Sequence, residues 1–164
     1  MQLNSIGWLS IQAPAFGRLS DYESAAVVDF ALVWSFNEAR CLGNMATMER
    51  IRRYVHDLPH EVLNSEEIQE LVNYFQDRYA EGDRFSYRYD RLHLERSGNP
   101  EEVVRMLRGQ TESHSESLVG CLGVVFRYRN NLFHGEKWAY GLQEQKENFE
   151  RSTNLLRWLM KQNT

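Results

Sequence analysis

Residues 20–43 have the sequence SDYESAAVVDFALVWSFNEARCLG, and their pattern decides the fold class. Ser20 and Glu23 form a capping box, which marks the first turn of a helix, and Gly43 is a typical stop. Apolar residues recur every three or four positions between them, as on a helix surface. The expected helix covers residues 21–42, with Phe30 and Phe36 at the margins of its apolar face. That face consists of Val27, Val28, Ala31, Leu32, Trp34, Ser35 and Ala39.

Five further segments repeat the helical spacing, and four of them are followed by a proline or glycine stop. They cover residues 45–58, 65–79, 99–107, 115–133 and 141–161. Asn99 and Pro100 start one of them, as the N-cap and the first helical residue. Residues 83–98 indicate a loop with a short helix. Because four of the helices are long and amphipathic, the sequence predicts an all-α protein: an up-and-down helical bundle over residues 20–164, with short helices added.

Residues 1–19 predict an irregular or extended arm that lays Trp8, Ile11 and Phe16 on the bundle. The segment lacks the basic start and sustained apolar run of a secretory signal, and no run in the chain is long enough to span a membrane. Cys41 and Cys121 lie among apolar residues and are expected to be buried thiols. These features favour a cytoplasmic protein.

The charged residues limit the kinds of partner. The net charge is −4, so contact with a nucleic acid must be local. The chain has sixteen Arg and three Lys, and arginine suits planar contact with a phosphate or carboxylate. A solubilising role for the arginines is an equally good explanation, and Arg50, Arg52 and Arg53 fit either a phosphate track or an ordinary exposed helix face.

Polar side chains crowd the end of the helix predicted over residues 115–133. Residues 127–138 read RYRNNLFHGEKW. At about 100° per residue, Asn130 and His134 lie about 40° apart around the helix, and Arg129 stands one position to the side. A guanidinium, an amide and an imidazole on one patch suit a phosphate group and proton transfer near neutral pH.

Each of these residues also has a simpler interpretation. Cations complement the dipole at a helix C-terminus, and Asn and Gly are ordinary residues at a helix end. A histidine beside an apolar face is usually a structural residue. The same Arg-to-His spacing recurs at Arg88 and His93, but without a following Asn or an apolar helix. The following Asn and the apolar helix therefore distinguish residues 129–134 from residues 88–93, whereas the Arg-to-His spacing is the same in both.

Residues 129–135, RNNLFHG, resemble the Arg-x(4–6)-His signature of the HEPN family. These helical-bundle proteins include toxin, phage-defence and CRISPR-associated ribonucleases. Residues 30–38, FALVWSFNE, are similar to the aromatic-rich segment, ending in Phe-Asn, of the first long helix in many HEPN proteins. The two segments lie about ninety residues apart, as they do in the family.

The resemblance implies a metal-independent endoribonuclease that needs no cofactor. The RNA 2′-hydroxyl would attack the adjacent phosphate and leave a 2′,3′-cyclic phosphate. Arg129 would neutralise charge on the phosphoryl oxygens, and Asn130 would orient a neighbouring group. His134 would act as general acid or base, or hold the phosphate in line. A homodimer with two motifs in one cleft is implied, with RNA as the substrate.

Further residues are weaker candidates for contact with the substrate: Lys137, Asn131 and Glu38. Glu136 departs from the HEPN subgroup encoded with a nucleotidyltransferase antitoxin, in which a Tyr at this position is modified. Silencing by that modification is not expected here, although an antitoxin of another kind or a regulatory protein remains a candidate partner. No metal site is predicted, because His56, His60 and His93 lack zinc-type spacing to Cys or acidic residues.

Two alternatives to an enzyme remain at this stage. The first is a non-catalytic HEPN-like helical module that binds a nucleotide, an RNA or a protein partner. The net charge of −4 suits a protein partner at least as well as an RNA. The second is a purely structural bundle, which requires the polar cluster at residues 129–134 to be a coincidence.

Overall fold

The structure is a computed structural model that describes residues 4–135 and 142–162. Helices dominate the described part of the chain. In order they are α1 Ser5–Gln12, α2 Pro14–Gly17, α3 Asp21–Cys41, α4 Met48–His56, α5 His60–Leu63, α6 Glu66–Tyr79, α7 Tyr87–Asp90, α8 Glu101–Leu107, α9 His114–Phe133 and α10 Lys146–Gln162. Two short strands, β1 Ala80–Glu81 and β2 Arg84–Phe85, pair antiparallel with Ala80 opposite Phe85. A short 3-10 helix covers Leu94–Ser97. The prediction of an all-α protein is confirmed at this level.

Serine caps fix the starts of three long helices, α3, α6 and α9. Ser20 and Glu23 form the expected capping box at α3. The Ser65 side chain accepts a hydrogen bond from the Ile68 amide at the start of α6, and Ser113 accepts one from the Glu116 amide at the start of α9. Each bond satisfies a backbone N–H that has no partner within its helix, which is why these starts are readable from sequence.

One apolar core joins the four long helices. Phe30 of α3 packs against Phe149 of α10 at a ring distance of 4.9 Å. Tyr128 of α9 meets Phe75 of α6 at 6.0 Å and Phe149 at 6.3 Å, both edge to face. Residues 118–125 of α9 are all buried, so this helix lies within the core and has neighbours on every side.

The interior face of α3 differs from the predicted one. Phe30, placed at the margin by the sequence pattern, is fully buried, and Trp34 stacks on Phe126 of α9 at 6.0 Å. Leu32, predicted to face inward, is 66% exposed, and Phe36 is 58% exposed. Because α3 carries apolar residues around most of its circumference, periodicity alone does not select the face that its neighbours cover.

The N-terminal arm is helical, which corrects the prediction of an irregular segment. The Asn4 side chain caps α1 by accepting from the Gly7 amide, and Pro14 occupies the first turn of α2. Phe16 is buried in the core as expected. Trp8 and Ile11 are 55% and 64% exposed and are not laid on the bundle, so the expected packing is wrong for both.

Several helix starts also differ from the prediction. Helix α4 begins at Met48, because Thr47 caps it through the Arg50 amide. Helix α8 begins at Glu101, and Asn99 is not its cap, because Asn99 adopts a left-handed conformation with φ of 48°. The last long helix begins at Lys146, and Gly141 lies outside the described residues.

The two cysteines differ in burial, so the expectation of buried thiols holds for one of them. Cys121 is completely buried, and burial raises the pKa of its thiol, whereas Cys41 is only partly buried. No helix within the described residues has the length and apolar content to cross a membrane.

Candidate functional site

The guanidinium of Arg129 is held in place at the last turns of α9. It lies beside the end of α3, where its Nη2 is 3.5 Å from Glu38 Oε2, and its Nη1 donates to Asn130 Oδ1 at 2.9 Å. The cation also lies over the Phe133 ring, 5.4 Å from the centroid. Its side chain is 27% exposed, so part of the guanidinium remains accessible. Its Nε is buried, with no hydrogen-bond partner among the described residues.

Glu38 brings three segments together at this end of the molecule. Its Oε1 accepts from the Ala46 backbone amide at 2.8 Å, and its Oε2 accepts from Trp34 Nε1 at 3.2 Å. The same Oε2 faces Arg129. Glu38 therefore lies beside Arg129, but its oxygens are engaged by protein groups. Its position suits a residue that orients Arg129 better than one that contacts a substrate.

Asn130 connects Arg129 to the end of the helix. Its side chain is 9% exposed and accepts from Arg129, and its backbone carbonyl accepts from the His134 amide at 2.9 Å. Because the carboxamide oxygen is occupied and the residue is nearly covered, Asn130 is placed to fix the direction of the guanidinium.

His134 caps α9 and is exposed. The described contacts do not join its imidazole to Arg129 or Asn130. Position 134 is five residues beyond Arg129, a rise of about 7.5 Å along the helix axis. The structure thus brings Arg129, Asn130 and Glu38 into direct contact, with His134 at the same helix end but outside that cluster.

Asn131 occupies the interior, where its amide is fully engaged. It is 1% exposed. Its Oδ1 accepts from Arg127 Nη2 at 3.0 Å, and its Nδ2 donates to the backbone carbonyls of Arg91 at 3.0 Å and Leu92 at 3.4 Å. A side chain in this position supports the fold, and its burial leaves it no surface with which to contact a substrate.

Arg127 is an important residue that sequence reasoning did not single out. It is 3% exposed, and its guanidinium donates to the Leu92 carbonyl at 2.9 Å, to Ser97 Oγ at 2.9 Å and to Asn131. Arg127 and Asn131 are four residues apart, so both point from one face of α9 toward the segment after α7. The available signal was this polar pair within an otherwise apolar helix.

Comparison of the chain with models of known protein families, with curated proteins and with solved structures gives no match. Lys137 and Glu136 lie outside the described residues. Within residues 4–135 and 142–162, no three His, Cys, Asp or Glu side chains are grouped so as to hold a metal ion.

Proposed function

We propose that the protein is a metal-independent endoribonuclease of the HEPN type, with an HEPN-like helical bundle. One observation carries the proposal: a partly exposed Arg129, aimed by Glu38 and Asn130, shares the end of α9 with an accessible His134. Partial burial strengthens the interaction of a fixed guanidinium with a phosphate, because fewer water molecules screen it. The sequence RNNLFHG, which resembles the family signature, is the second support.

The proposed reaction is an internal transfer at phosphorus. The RNA O2′ bonds to the adjacent phosphorus as the bond from phosphorus to the leaving O5′ breaks, giving a 2′,3′-cyclic phosphate and a 5′-hydroxyl. The 2′-hydroxyl proton goes to a base, and O5′ receives a proton from an acid. His134 is assigned one of these transfers, and Arg129 stabilises the negative charge on the non-bridging oxygens.

The proposal includes a homodimer in which two motifs share a cleft. The exposed apolar side chains of α3 support it, since Leu32 and Phe36 are one helical turn apart and lie on the helix that carries Glu38. Pairing through this face would bring the C-terminal halves of two α3 helices together, at the end of the helix that carries Glu38. A role in phage defence or as a toxin, under control of an antitoxin or regulatory protein, belongs to the same proposal.

The test is cleavage of a labelled mixed-sequence RNA by the purified protein in excess EDTA. We expect the wild type to cut, leaving cyclic phosphate and 5′-hydroxyl ends, and His134→Ala to lose activity by a factor of roughly a hundred or more. His56→Ala is the matched control, because His56 is an exposed histidine on α4 whose ring contacts the neighbouring Asp57, away from the Arg129 cluster. It should cut like the wild type.

Circular dichroism must show equal helix content in all three proteins. If a folded His134→Ala variant cleaves RNA at the wild-type rate, the assignment of His134 is wrong. If cleavage requires an added metal ion, the proposed metal-free reaction is wrong.

A non-catalytic HEPN-like module that binds a nucleotide, an RNA or a protein is the second candidate. The contact of Arg129 with Glu38, and the separation of the imidazole from the Arg129 cluster, favour it. This candidate requires that the wild type cleave no RNA and that Arg129→Ala abolish partner binding. The EDTA assay therefore separates the two functions.

A further inference from the structure

A second cluster of arginines lies away from the Arg129 cluster, on the side of α9 that faces α6. A pocket there is lined by Arg78 from the last turn of α6 and by Arg88 and Arg91 at α7. Tyr128 of α9 also borders it. Tyr128 and Arg129 are consecutive residues, so they point about 100° apart around α9, Tyr128 toward α6 and Arg129 toward α3. The two clusters are separate sites on either side of one helix.

No described carboxylate forms an ion pair with the three arginines that line the pocket, although Glu144 borders it. Among the described residues, none of Arg78, Arg88 and Arg91 forms an ion pair, whereas other arginines of the chain do. Glu144 borders the pocket but contacts Arg78 through its backbone carbonyl, which accepts from Nη2 at 3.2 Å. Three unpaired guanidiniums around one pocket create a strong local attraction for an anion.

Two buried tyrosines, Tyr79 and Tyr128, line the pocket with Arg78, and neither carries a negative charge that would balance the arginines. The hydroxyls of Tyr79 and Tyr128 are hydrogen-bonded to each other at 2.5 Å. Burial raises the pKa of Tyr79 to about 12 and raises that of Tyr128 well above its ordinary value. Both hydroxyls are therefore neutral at physiological pH. The Nε of Arg78 is buried beside them, with no hydrogen-bond partner among the described residues.

The two arginines of α7 are held by an exposed aromatic ring. The guanidinium carbons of Arg88 and Arg91 lie 4.8 Å and 5.4 Å from the centroid of the Tyr87 ring, which belongs to a residue that is 58% exposed. A guanidinium that lies over a ring is held in position, while its N–H groups stay free to donate within the plane of the guanidinium. Both side chains can therefore present forked donors at the pocket mouth without first losing a carboxylate partner.

We infer that the surface at this shallow pocket, formed by Arg78, Arg88 and Arg91, binds a phosphate group. Several guanidiniums that border one pocket suit the several oxygens of a phosphate, which can accept forked hydrogen bonds from each of them. The phosphate belongs either to an RNA chain or to a free nucleotide, and the chemistry of recognition is the same. The inference goes beyond the proposed nuclease, because it needs neither Arg129 nor His134.

The test measures binding of a short 5′-phosphorylated oligonucleotide that carries 2′-O-methyl groups, so that it cannot undergo the proposed cleavage. Fluorescence anisotropy of its labelled 3′ end gives the affinity. We expect saturable binding to the wild type and binding at least about tenfold weaker to the double variant Arg88→Gln/Arg91→Gln. Both residues lie at the mouth of the pocket, and circular dichroism checks that the variant folds.

The matched control is Arg151→Gln/Arg157→Gln, which removes two exposed arginines of α10 that pair with Glu147 and Asp29 elsewhere on the surface. It has the same net charge as the test variant and should bind like the wild type. Both double variants retain Arg129 and His134, so a failure of the nuclease proposal does not affect this comparison.

Competition identifies the source of the phosphate. Displacement by AMP assigns the pocket to a terminal phosphate, whereas displacement only by the unlabelled oligonucleotide with a 5′-hydroxyl assigns it to the RNA backbone. Either result supports the inference. The inference is overturned if the wild type shows no saturable binding, or if the test and control double variants bind equally well.

Discussion

At the scale of single residues, the end of α9 is organised by side chains that bind the protein itself. Arg127 and Asn131 tie the helix to the segment at residues 91–97 through bonds to backbone carbonyls and Ser97. Glu38 and Asn130 then hold Arg129 on a neighbouring face. The guanidinium of the proposed site is thus fixed by polar contacts within the protein, and such contacts are costly to break where the groups are buried.

Asn131→Ala is expected to lower the free energy of unfolding by about 2 kcal/mol, because it leaves the buried Arg127 guanidinium and two backbone carbonyls short of partners. Urea denaturation followed by circular dichroism measures the change. Asn154→Ala on the exposed face of α10 is the control and should be close to neutral. Equal stability of the two variants would show that the network contributes little.

At the scale of elements, close packing of α8 on α9 depends on two glycines. A Cβ at Gly120 would lie 2.6 Å from Met106 Cβ and 2.7 Å from the Glu102 carbonyl oxygen, and one at Gly123 would lie 2.5 Å from a Val103 methyl carbon. Glycine inside a helix is unfavourable by about 1 kcal/mol relative to alanine. The two glycines therefore lower the intrinsic stability of α9, but they allow α8 and α9 to pack closely.

Gly120→Ala should destabilise the protein by about 2 kcal/mol even though alanine favours the helix, because the Cβ overlaps the backbone of α8. Thermal unfolding measures the effect. Ser35→Ala, at an exposed position in the interior of α3, is the comparison, and it should be neutral or slightly stabilising. If Gly120→Ala raised the melting temperature, the close contact between α8 and α9 would be wrong.

At the scale of the whole molecule, the exposed side of α3 is the clearest candidate for self-association. Leu32 and Phe36 present adjacent apolar side chains to solvent, one turn apart, on a helix whose other side lies in the core. Apolar side chains grouped in this way often mark an interaction surface. This surface is at the same end of α3 as Glu38, although Phe36 and Glu38 point about 200° apart around the helix.

Leu32→Asp/Phe36→Asp is expected to convert the proposed dimer to a monomer in sedimentation velocity and to reduce RNA cleavage with it, since charges in an apolar interface are costly. Ile11→Asp, which alters an equally exposed apolar residue on α1, should leave the dimer intact. A monomeric wild type at micromolar concentration, or a variant that still dimerises, would contradict the proposed interface.

The sequence by itself determined the all-α class, the long helices and where most of them begin. It did so because serine caps, glycine stops and helical periodicity act locally, as at Ser20, Ser65 and Ser113. It also placed Arg129, Asn130 and His134 at one helix end. The helical arm escaped prediction because α1 combines apolar residues with no charged residue and no buried face.

Only the tertiary structure decided which faces are covered and what each polar side chain contacts. It buried Phe30 and exposed Leu32 and Phe36 on one continuously apolar helix, and it turned Asn131 inward. It also brought Arg78, from the end of α6, to the pocket of Arg88 and Arg91. These outcomes depend on residues far apart in the chain, whose meeting is fixed by helix packing and by the pairing of buried polar groups.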